Sequence, residues 1–156
     1  MKTRVQITLI LLSLLLTACS SQILFTLYYY NPQLDKDAAG NIQCSSAGLV
    51  PVQRVMNGTP NDQEMPAWII KSLLTGQLTE DERAQGITTE FPLEGVELQN
   101  YSIRDGVLTL TFSDPEHRTS GGACRAAILW AQIEQTALQF PGVSEVRFLP
   151  EDLFQP

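Results

Sequence analysis

An α+β fold in a single domain is what the sequence predicts, with a mixed or antiparallel sheet of about five strands and two main helices on one face. Three observations carry that expectation. Several short runs are β-branched, aromatic or alternating; two longer stretches place apolar residues at three- and four-residue steps; turn formers separate them in the order β-β-α-β-β-α-β. At 156 residues, with 44% hydrophobic and 17% charged side chains, the chain has the composition of a globular fold and the length for one core.

The first segment stands apart from that domain. Basic Lys2 and Arg4 precede an apolar run from Ile7 to Leu16, which closes on Leu16-Thr17-Ala18-Cys19; these are the parts of an export signal. A spanning helix needs about 20 apolar residues, whereas Thr8 and Ser13 interrupt this run and Ser20, Ser21 and Gln22 end it. Leu-x-Ala-Cys resembles the bacterial lipoprotein signal. The expectation is therefore that residues 1–18 are a cleaved signal peptide, that Cys19 carries a diacylglyceryl group and palmitate-type acyl chains, that residues 19–22 are a lipidated tether, and that residues 23–156 form the domain. Such a protein sits on the extracytoplasmic side of a membrane. Ser20, in place of the aspartate that retains lipoproteins in an inner membrane, favours the outer membrane where there are two.

Along the domain, Ile23 to Tyr30 is β-branched and aromatic and stops at Asn31-Pro32, as a strand does. Asp35 to Gly48 is a loop of turn formers. Leu49 to Met56 is a second strand with Val50, Val52 and Arg54 on one face; Pro51 cannot donate to a ladder and marks an edge or a bulge. Pro60 to Gly76 has the apolar stripe and terminal glycine of a helix. Thr79 and Glu82 are spaced as a capping box. Val96 to Phe112 is a hairpin turning at Asp105-Gly106, a pair that favours a type I′ turn, with a bulge expected near Gln99 or Asn100 where the apolar parity slips. Ala123 to Phe140 is the better marked helix, closed by Pro141-Gly142. Val143 to Phe148 is the last strand, and "LPEDLFQP" is expected to run out over the surface.

Cleavage before Cys19 takes two positive charges and no acid away from a chain of formal net charge −7. Phosphate backbones repel such a chain, which argues against nucleic acid as a partner. The sequence offers little chemistry. The lone His117 lies in a loop beside Ser113 and Asp114, and sequence neighbours on a loop rarely form a triad. Asp35, Asp37 and Gly40 begin like a calcium loop, but Ala39 and Ser46 stand where ligands belong. Asp81/Glu82 and Glu151/Asp152 are carboxylate pairs that nothing places in a cleft. No metal, cofactor or catalytic residue is predicted.

With Cys19 assigned to lipid, Cys44 and Cys124 remain, and an exported domain sits where disulfides persist. Their pairing is the expected outcome. The rival is a reactive Cys124 at the helix start formed by "SGGAC". Alternation sends Tyr29 to one sheet face and Tyr28 and Tyr30 to the other, so Tyr28 and Tyr30 are the candidate interface residues, with core packing as the equal alternative.

The tyrosine-rich first strand ending in Asn31-Pro32, "LVPVQR" at 49–54, "LLTG" at 73–76, Glu82 with Gly86 and Pro92, the hairpin ending in "LTF", and "AQIEQTALQFPGVSEVRF" at 131–148 together resemble the GerMN domain of bacterial sporulation and germination lipoproteins. The resemblance covers nearly all of residues 23–156. It implies a domain similar to the ring-building modules of envelope-spanning machines, without known enzymatic activity, on a membrane-anchored protein. The partners it implies are other envelope proteins or further copies of the chain, and the role is scaffolding or assembly. An alternative from a different class is a module that binds a small ligand or cell-wall glycan through exposed aromatics.

Overall fold

The structure is a computed structural model, and it describes residues 22–58, 61 and 64–155. The expected signal peptide, Cys19 and most of the tether lie outside the described residues. Five strands and three helices follow in the order β1 (Gln22–Tyr30), β2 (Leu49–Asn57), α1 (Met65–Leu74), α2 (Glu80–Ala84), β3 (Glu97–Arg104), β4 (Val107–Ser113), α3 (Ala123–Ala137) and β5 (Glu145–Leu149). The α+β class and the single domain are as expected. The strands divide between two sheets, however: an antiparallel ribbon β1-β2 and a three-stranded sheet β3-β4-β5 in which β5 runs parallel to β4.

Local signals are realised residue by residue. Asp105 and Gly106 both have positive φ, 51° and 82°, as a type I′ turn requires. The β3 register shifts between Leu98 and Asn100. Thr79 and Glu82 form the capping box. Both long helices are shorter than their apolar periodicity indicates. A turn precedes α1, in which the Asn61 carbonyl accepts from Glu64 and Met65 and its side chain accepts from Glu64; α3 stops at Ala137, and turns at Phe140 and Val143 lead into β5.

Alternation gives the ribbon two faces. Phe25, Leu27 and Tyr29 of β1, with Val52 and Met56 of β2, turn into the core. Leu98, Leu108, Leu110, Phe112, Val146 and Phe148 do the same for the three-stranded sheet. Helices α1 and α3 pack on each other and each touches both sheets, α1 meeting β1 and β3, α3 meeting β1 and β5. One continuous apolar core results. The C-terminal segment is a correction to the sequence reading. Instead of running over the surface it turns inward at Phe154, which is 2% exposed and packs against Phe112 and Phe148 with ring centroids 5.6 and 4.9 Å away. Leu153 is buried beside it, because two large apolar side chains gain more in the core than in water.

Candidate interaction surface

A strand at the margin of a sheet exposes unpaired N–H and C=O groups that can pair with another chain. On β1 the outward N–H and C=O of Thr26 and Tyr30 and the N–H of Tyr28 are occupied. The Gln139 carboxamide, at the end of α3, accepts from the Thr26 N–H at 3.2 Å and donates to its carbonyl at 2.8 Å, standing in for a strand residue. Thr136 Oγ1 accepts from the Tyr28 N–H at 3.1 Å. The backbone of Thr88 exchanges both hydrogen bonds with Tyr30. Since the Tyr28 N–H points to α3, its pair with Pro51 is one that needs no ladder bond, and the missing proline N–H costs nothing there. On the free edge of β2, the Arg54 guanidinium donates to the Gln53 carbonyl.

Strand β3 is different. Arg104 and Val107 flank the two-residue turn and form a hydrogen-bonded pair, so alternation turns the N–H and C=O of Ile103 outward. Only Leu98 of β3 is buried, and Ile103 is 41% exposed. Helix α1 runs beside this edge and leaves a groove along it. A cavity of about 370 Å³ lies between Met65 and Pro66 on α1 and Ile103, Phe140 and Pro141. A second, of about 420 Å³, lies between Lys71, Leu74 and Thr75 and the start of β3 at Glu97 and Leu98. Seen along the groove, α1 and β3 run in opposite directions.

A third cavity, of about 220 Å³, opens between the core face of the ribbon and α1. Its wall is Trp68, 39% exposed and edge-on to Phe25 at 5.4 Å between centroids, and its rim carries Ser72, Thr75 and Gln77. The cation at its margin is already engaged. Arg54 donates to both Glu82 oxygens at 2.7 and 2.8 Å and to the Gln77 carbonyl at 2.9 Å, and these bonds hold the Glu82 carboxyl below its ordinary range. Burial pushes the Tyr29 hydroxyl up to about 12.

A family model described as Germane, sporulation and spore germination, matches residues 26–152. The chain belongs to the Germane family. Its fold is also similar to the solved structure of the tandem GerMN domains of the sporulation protein GerM from Bacillus subtilis, with a TM-score of 0.58 at 20% identity over 88% of this chain. This chain covers 42% of that one. A putative lipoprotein from Clostridium perfringens aligns over 82% of this chain and 74% of its own, with a TM-score of 0.41 and 16% identity. Among curated proteins no sequence matches.

Within this GerMN domain the candidate tyrosines part company. Tyr28 is half-buried on the outer face of the ribbon, but Tyr30 is only 4% exposed and cannot meet a partner. The loop after β1 folds over its ring. The Tyr30 hydroxyl donates to Asp35, and a Cβ on Gly48 would collide with the ring, so only glycine fits there. Alternation reports the face of a residue, not what a later loop lays on it. Burial works against the charge on Asp35, yet hydrogen bonds from the Ser45 and Tyr30 hydroxyls and from backbone N–H groups hold its carboxyl below the usual range. This loop is tied to α3 by a disulfide between Cys44 and Cys124, whose Cα atoms are 5.1 Å apart.

The remaining candidates serve local structure. Asp37 accepts from the backbone of Ala39 and Asn41 and from the Asn41 and Gln43 side chains, closing a turn rather than waiting for a cation. Asp114 accepts from the Arg118 and Thr119 N–H groups and the Thr119 hydroxyl. His117 sits in that exposed loop at φ 54°. Among the described residues no cluster of His, Cys, Asp and Glu could hold a metal ion. No helix among them is long and apolar enough to cross a membrane. Sequence reasoning missed Ile103 and α1 as a groove, since their approach depends on tertiary packing; the one available signal was an isoleucine at the mouth of a hairpin.

Proposed function

We propose that this GerMN domain is a non-enzymatic, lipid-anchored scaffold or assembly module of the bacterial envelope, docking other envelope proteins along the open β3 edge. The observation that carries the reading is an exposed edge strand with two cavities between it and α1, the one at Ile103 apolar. An extended segment added to such an edge gains main-chain hydrogen bonds, while the groove selects its alternate side chains. Membership of a sporulation and germination family agrees with a role in assembly. The anchor is Cys19, on the lipoprotein signal.

Two experiments test this. A photo-crosslinking residue at Ile103 should trap a discrete envelope protein in living cells, and one at buried Phe154 should trap none; equal, diffuse labelling at both would refute docking at β3. Cys19→Ala should move the folded protein from the membrane fraction to the soluble one. The Trp68 cleft supports a second reading, a small-ligand or cell-wall-glycan site, because an exposed indole beside hydroxyl and amide groups suits a sugar ring. Peptidoglycan fragments that raised Tm saturably, and failed to do so with Trp68→Ala, would establish it.

A further inference from the structure

Among the described residues no element covers the outer face of the β1-β2 ribbon at Leu24 and Val55. Alternation gives this face every second residue from Gln22 to Tyr30 and, opposite them, from Leu49 to Asn57, and none of these positions carries a charge. That is an unusual stretch on a chain of formal net charge −7. The most exposed apolar pair of the ribbon, Leu24 and Val55 at 66% and 56%, faces its partner directly across the strands at the end nearest the N-terminal segment. Tyr28 lies further along the same face, and the polar positions pair across the strands, Gln53 donating to the Thr26 hydroxyl and Gln22 to the Asn57 carboxamide.

We propose that this uncharged outer face rests on the lipid surface in which Cys19 is anchored. The inference rests on the lipoprotein reading given above. Leu24 is five residues beyond Cys19, so extended chain holds it within about 18 Å of the acylated residue. At that distance the domain meets the bilayer constantly, and the face it presents is decided by charge and apolar area. An acidic surface is repelled by anionic headgroups, whereas a face with no carboxylate and an exposed Leu-Val pair is not. Tyrosine suits the same place, with its ring in the headgroup layer and its hydroxyl in water.

The test uses the full-length lipidated protein, purified from membranes and reconstituted into vesicles of phosphatidylcholine and anionic phosphatidylglycerol containing a spin-labelled lipid. An environment-sensitive fluorophore is attached at Gln53→Cys on the outer face, or at Glu116→Cys in the exposed loop before α3. The proposal predicts at least about twofold stronger quenching at position 53 than at 116. It also predicts loss of that difference in Leu24→Glu/Val55→Glu, which should still float with the vesicles. Equal quenching at both sites in protein that floats overturns the resting face and leaves the anchor standing. Protein that fails to float removes the Cys19 anchor, and the resting face with it.

Discussion

Strands β1 and β3 both lie at the margin of a sheet, and the molecule treats them in opposite ways. Gln139, Thr136 and Thr88, residues from distant parts of the chain, take up the outward N–H groups of Thr26, Tyr28 and Tyr30 and the carbonyls of Thr26 and Tyr30 on β1. Strand β3 has a bulge and one local device, the Asn100 side chain accepting from the Tyr101 N–H, and leaves Ile103 open beside an apolar groove. An edge that could aggregate is normally shut. Here one edge is shut with three separate long-range contacts, while the β3 edge keeps the Ile103 backbone available for pairing.

The largest effect expected from breaking this contrast comes from the Cys44–Cys124 bridge, which ties the loop over Tyr30 to α3 across a sequence separation of 80. Replacing both cysteines by serine should cost about 4 kcal/mol on the chain-entropy account, read as a lower urea midpoint with a somewhat steeper slope, because the unlinked unfolded chain is more expanded. Gln139→Ala should come next. It strands the N–H and C=O of Thr26 at the covered edge, a loss of about 1–3 kcal/mol, and it should make the protein self-associate through β1 in light scattering.

Acid should loosen the loop over Tyr30 and the Arg54–Glu82 pair. Asp35 and Glu82 both titrate below their ordinary values in the folded state, through hydrogen bonds with Ser45 and Tyr30 for the first and with Arg54 for the second. Their contribution is therefore complete above the unfolded carboxylate range, near pH 4, and is lost as pH falls through the lower folded values. Tm should be flat from pH 7 to 5 and fall below about pH 4, less steeply in Asp35→Asn. The smallest effect belongs to the open edge. Ile103→Lys should change stability by less than about 0.5 kcal/mol, because an exposed edge position has little packing to lose, while the proposed docking at β3 requires it to abolish crosslinking from that edge.

What could be read from the chain was mostly local. The Thr79–Glu82 capping box, the Asp105-Gly106 turn, the bulge before Asn100 and the two faces of β1 each depend on residues a few positions apart. The division into two sheets could not be read that way, because alternation places a residue on a face without naming its neighbouring strand. Tyr30 illustrates the limit. Its face was legible, but the loop that buries it is held by Asp35 and by a disulfide to α3. Gln139 lies 113 residues from Thr26 and looks in sequence like any polar residue at a helix end. The inward turn of Leu153 and Phe154 was hidden by the polar residues around them.

Native-state hydrogen exchange tests the contrast between the two edges most directly. The account predicts that the amides of Thr26, Tyr28 and Tyr30 exchange only through global unfolding, and that the amide of Ile103 exchanges orders of magnitude faster in the free monomer. A protected Ile103 amide in the monomer, or equal protection along β1 and β3, would contradict it.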